Sequence, residues 1–95
     1  DEMIELFGNS HGELLDRCRR AIAEADPEAL ARAGHTLKGM IGNFDPNAGY
    51  DLALELETIG REGGEMVRAA ETLERVERHV ARLQAALQAL KAGQS

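Results

Sequence analysis

The sequence predicts an all-α fold, an antiparallel up-down-up-down bundle of four helices, and three observations carry that expectation. Ala, Leu, Glu and Arg dominate while aromatics make up only 3% of the chain, a mixture that favours helix and gives strands little to work with. Apolar residues recur at spacings of three and four through four separate segments, the period of an amphipathic helix. Between the segments stand Asp26-Pro27, Asp45-Pro46 and Gly63-Gly64, short punctuation that joins neighbouring helices in opposite directions.

The first segment, about 2–25, places Ile4, Phe7, Leu14, Leu15, Cys18, Ile22 and Ala25 on one stripe. Gly8 to Gly12 is its weak point, where Ser10 and Glu13 have capping-box spacing. One helix with a local irregularity is the expectation. His11 falls on the apolar stripe and reads as a partly buried histidine with a hydrogen-bond partner. The second segment, about 27–44, opens with Asp26 at the N-cap and Pro27 at the first helical position. It stops at Asp45-Pro46, because a proline disfavours helix in the residue before it.

The third segment, about 47–62, buries Leu52, Leu56 and Ile59 with Ala53 beside them, and leaves Leu54 off the stripe. The fourth, about 65–92, alternates Met66, Ala69, Leu73, Val76, Val80, Leu83, Leu87 and Leu90 in steps of three and four, the seam pattern of a bundle. At about 1.5 Å per residue it is roughly 40 Å long. The 95 residues suit one domain spanning 1–95. The start at Asp1 and the polar end Gly93-Gln94-Ser95 suggest a piece of a longer protein, with a trimmed small protein as the other reading.

The second helix departs from this economy. At about 100° per residue, Leu30, Ala33, Leu37, Met40, Ile41 and Phe44 form its apolar stripe, and His35, Lys38, Gly39 and Gly42 share the opposite face. Each glycine inside a helix costs about 1 kcal/mol relative to alanine, yet this one holds Gly34, Gly39 and Gly42. Gly34 lies towards the buried side, where it lets a neighbouring helix come close. Gly39 and Gly42 clear the approach to the imidazole for another protein's surface. An exposed imidazole with a cation one turn away suits phosphorylation. His35 would be the nucleophile, since the neutral ring is available near pH 7, and Lys38 would offset the phosphoryl charge.

Charge bears on the partner. The formal net charge is −6, which argues against nucleic acid or a membrane surface as partner. Between Pro27 and Phe44, however, Arg32 and Lys38 against Glu28 give +1, leaving −7 for the rest. A partner presenting acid or phosphate is expected there. One cysteine, Cys18, excludes an internal disulfide and points to a reducing compartment. His11, His35 and His79 lie on three separate predicted helices with no ligand spacing to Cys or carboxylates, so no metal site is expected, and His79 reads as a solvated surface residue.

His35-Thr36-Leu37-Lys38-Gly39 followed by Gly42-Asn43-Phe44 resembles the signature of histidine-containing phosphotransfer (HPt) domains of two-component signalling. The flanks Leu30 to Gly34 and Leu52 to Glu57 are similar too, so the resemblance covers essentially the whole chain. Departures occur at Met40-Ile41, where small residues are frequent, at Asp45-Pro46, where Gly-Ala is frequent, and at Gly34, which replaces a frequent alanine. The resemblance implies a four-helix bundle with His35 as exposed phosphoacceptor, Lys38 near the phosphate and Gly39 leaving room for the partner. It implies docking on the first two helices, with Phe7, His11 and Arg32 contributing.

The expected function is that of a cytoplasmic phosphorelay intermediate. A receiver-domain aspartyl phosphate phosphorylates His35, which passes the group to another receiver aspartate. The partners are response-regulator receivers, with a hybrid sensor kinase in cis as a further one. No cofactor is expected on this domain, since Mg would sit on the receiver, and no kinase activity of its own, since no nucleotide motif is present. The alternatives are a helical interaction module that is not phosphorylated and a dimerisation domain using the fourth-helix seam.

Overall fold

The computed structural model describes residues 2–43 and 45–93, and side chains for 12–43, 45–90, 92 and 93. It forms four helices: α1 (Glu2–Ala23), α2 (Pro27–Gly42), α3 (Ala48–Arg61) and α4 (Met66–Gly93). There is no strand among the described residues. The expected boundaries hold to within a few residues. α1 runs unbroken through Gly8 to Gly12, so the anticipated irregularity does not interrupt it.

Local chemistry explains the helix ends. Asp26 is the N-cap of α2, its Oδ1 accepting from the Ala29 N–H at 3.1 Å, with Pro27 next. α1 and α3 end alike. In each, a residue with left-handed backbone, Ala25 (φ 50°) or Gly63 (φ 63°), is followed by an N–H that bonds back into the helix. The bonds are Asp26 to the Ala21 carbonyl and Gly64 to the Ile59 carbonyl, both 2.8 Å, the Schellman arrangement. Ala25, expected on the apolar stripe, is therefore an exposed turn residue. Asp45 does more than stop α2: its carboxylate accepts from the Asn47 and Gly49 N–H groups at 3.1 and 3.2 Å, satisfying donors at the start of α3.

Each helix packs on the next in sequence, and α4 closes against α1. α2 and α3 are antiparallel. Gly60, late in α3, lies against Pro27 and Ala31 at the start of α2, while Gly49, early in α3, faces Ile41 at the end of α2. α4 returns antiparallel to α3, with His79 beside Gly49 and Arg68 and Arg75 reaching Glu55.

The core gathers the apolar stripes: Leu14, Leu15 and Cys18 of α1, Leu30, Leu37 and Ile41 of α2, Leu56 and Ile59 of α3, and Leu73, Val76 and Val80 of α4. Leu52 is only partly buried and Leu54 is exposed. The α4 seam loses its cover with distance: Leu83 and Leu87 are partly buried and Leu90 is 61% exposed. α4 has 28 residues against 16 and 14 in α2 and α3, so its C-terminal turns outrun them. No described helix is long and apolar enough to cross a membrane.

Candidate functional site

His35 projects from the middle of α2 with 63% of its side chain exposed. Beneath it lies Glu57 of α3, whose side chain is 1% exposed. A carboxylate is rarely buried without partners, and Glu57 has three. His35 Nδ1 is 3.1 Å from Oε2, Lys38 Nζ is 2.9 Å from Oε1, and Arg61, one turn on in α3, contacts Oε2. The Lys38 contact is an ion pair by distance but not a well-aligned hydrogen bond, so Oε1 has no directional donor. Burial raises the Glu57 pKa, but the contacts from Lys38 and His35 and the charge of Arg61 outweigh it and hold the carboxyl below its ordinary value.

An ionised carboxylate only accepts. The His35 Nδ1 must therefore carry the hydrogen, which leaves the lone pair on Nε2, the nitrogen not held by Glu57. The glycine before His35 makes this possible. A Cβ at Gly34 would stand 2.9 Å from the Glu57 backbone nitrogen and 3.0 Å from its Cα. Only a glycine lets α3 seat that closely and bring its acid under the ring.

Lys38 is not the free cation the sequence led us to expect. Its side chain is 17% exposed, drawn inward by Glu57, and Nζ lies 5.7 Å from the centroid of the Tyr50 ring, a cation–π distance. Gly42 departs from expectation too. Its missing Cβ faces Tyr50 Cδ2 at 3.2 Å, so the glycine accommodates that ring rather than standing clear on the outer face. A Cβ at Gly39 would meet nothing within 4 Å. Arg32 is exposed one turn before His35, and the two line a shallow depression with Ala31, Thr36 and Arg61.

A comparison with protein-family models matches residues 2–93 to the Hpt domain. The chain belongs to the Hpt domain family. No curated protein and no solved structure gives a significant match. Membership makes this a four-helix phosphotransfer domain of two-component signalling, and Hpt domains work with receiver domains in phosphorelays.

Within this Hpt domain the structure joins His35 and Lys38 through Glu57, sets His35 and Arg32 on one depression, leaves open space at Gly39 and sets Gly42 against Tyr50. Phe7, His11 and Phe44 lie outside the described side chains. The residue missed from sequence is Glu57. Its signal was present: with Ala53, Leu56 and Gly60 it occupies the buried stripe of α3, where an acid demands a partner. His79 corrects a second expectation. It is 18% exposed, not solvated, and its Nε2 is 2.5 Å from Asp45 Oδ2. Among the described residues no group of three or more His, Cys, Asp or Glu is gathered for a metal ion. The Cys18 thiol is fully buried, and burial pushes its pKa up to about 11, so it is not a nucleophile near neutral pH.

Proposed function

We propose that His35 is the phosphoacceptor of a phosphorelay intermediate, taking a phosphoryl group from a receiver's aspartyl phosphate and passing it to the aspartate of another receiver. The observation that carries this is the exposed imidazole held at Nδ1 by a buried carboxylate. A rigid helix aims the ring, and the hydrogen on Nδ1 leaves Nε2 as the nucleophile. Attack forms the N–P bond as the aspartyl O–P bond breaks, and the aspartate carboxylate leaves with the electron pair. The ring becomes cationic, and Glu57 offsets that charge through the Nδ1–H it already accepts.

Lys38, in this reading, acts by holding Glu57 in place with Arg61. The receiver docks over α1 and α2, where Arg32 and Gly39 border His35 and Phe7 and His11 are the further candidates. Any divalent ion the transfer uses belongs to the receiver. The domain works in the cytoplasm, on separate response regulators or in cis with a hybrid sensor kinase.

The test is transfer of labelled phosphate from a phosphorylated receiver domain. The wild-type domain should acquire acid-labile, base-stable label. His35→Gln should acquire none while keeping its helical circular dichroism. Label retained in that variant would sink the assignment.

A further inference from the structure

Three cations stand near His35, but they are not equivalent. Lys38 and Arg61 both contact Glu57, the carboxylate that also receives Nδ1. Both are therefore engaged by that acid, although Arg61 also borders the depression beside the ring. Arg32 makes no ion pair or side-chain hydrogen bond among the described residues and is exposed. Helical side chains in general lean towards the N-terminus, and Arg32 stands on the turn that precedes His35. The depression beside the ring is lined by Ala31, Arg32, His35, Thr36 and Arg61, whereas Lys38 lies one turn on in the other direction.

We infer that Arg32 is the residue that meets the phosphoryl group on His35. This rests on the reading of His35 as phosphoacceptor. A phosphoryl group on Nε2 sits on the ring nitrogen that Glu57 does not hold, and it adds close to two negative charges, while Arg61, which also borders the depression, is already engaged by Glu57. A guanidinium one turn away, with no acid paired to it among the described residues, reaches it with paired N–H donors suited to phosphate oxygens. Since the same oxygens carry charge during transfer, Arg32 assists bond formation as well as holding the product. Lys38 then serves as a positioning residue, acting through Glu57.

The experiment uses phosphoramidate as a small phosphodonor, so that no receiver docking enters the measurement. The rate of phosphorylation and the pH midpoint of the phosphohistidine ³¹P resonance are read for wild type and variants. Loss of one charge-assisted contact corresponds to roughly a tenfold slower reaction for Arg32→Ala. Its ³¹P midpoint should move up, because a neighbouring cation favours the more highly charged phosphoryl form. Arg32→Lys should recover most of the midpoint, which depends on charge, and less of the rate, which depends on the planar fork. Lys38→Ala should move the midpoint by less than Arg32→Ala does. A wild-type rate and midpoint in Arg32→Ala would overturn the inference, as would a larger midpoint shift in Lys38→Ala. His35→Gln run alongside separates the two readings. Label on that variant removes His35 as acceptor, whereas an unlabelled His35→Gln beside an unaffected Arg32→Ala removes only the role of Arg32.

Discussion

Among the described residues, two histidine–carboxylate pairs have opposite arrangements. In one, the acid is buried and the ring stands outside: Glu57 under His35. In the other, His79 and Asp45 are about equally covered, at 18% and 20% exposure. Asp45 spends its remaining lone pairs on the backbone N–H groups of Asn47 and Gly49, so this pair fastens α4 to the turn that starts α3. Glu57 is balanced instead by Lys38 and Arg61 and fastens nothing beyond the ring's orientation and the α2–α3 contact. The same two functional groups thus present a nucleophile or tie helices together, according to which partner is buried and what else the acid binds.

The sharpest way to separate the pairs is to break each. Glu57→Ala removes the acceptor for Nδ1–H and leaves Lys38 and Arg61 without their acid. Phosphorylation of His35 should slow by about tenfold to a hundredfold, and urea denaturation should show a loss of about 1–3 kcal/mol. His79→Gln should lower the denaturation midpoint yet phosphorylate at the wild-type rate. Slowing in His79→Gln comparable to that in Glu57→Ala would erase the functional distinction between the pairs.

What could be read from sequence follows the range of the interaction. The cap Asp26-Pro27, the stop at Gly63 and the stripe through Leu30, Leu37 and Ile41 depend on residues within a turn or two of each other, and all appear as expected. His35 and Lys38 were legible as one helix face for the same reason. The pairing of His35 with Glu57, and of His79 with Asp45, spans 22 and 34 residues. It depends on the register of one helix against another, which periodicity does not specify. Leu90 shows the converse: the seam pattern persists in the sequence beyond the point where the shorter helices can cover it.

The glycines of α2 extend the comparison to the backbone that sets up the buried acid. At Gly34 a Cβ would press on the Glu57 backbone, and at Gly39 it would touch nothing within 4 Å. Gly34→Ala should therefore cost about 1–3 kcal/mol through overpacking and slow phosphorylation by displacing Glu57. Gly39→Ala should stabilise the helix by up to about 1 kcal/mol. Paired urea titrations measure both, and equal effects of the two substitutions would remove the case for Gly34 as the seat of the Glu57 contact.

The smallest effect lies in acid. Both carboxyls are held below their ordinary values: Asp45 first through its hydrogen bond with His79 and then through the Asn47 N–H, Glu57 through contacts with Lys38 and His35 that overcome its burial. A carboxyl with a lowered folded-state pKa contributes stability that is present above its unfolded value, about 4 for these residues, and is lost as pH falls through the folded value. His79→Gln should return Asp45 towards its ordinary range and so move acid unfolding, followed by far-UV circular dichroism, to slightly higher pH. Lys38→Ala should move it the same way through Glu57, because it removes one of the contacts that lower the pKa of that acid and with it part of the stability present above the unfolded value. If neither substitution moves the acid transition, the two acids are not what ties stability to low pH, and their pairing matters for geometry alone.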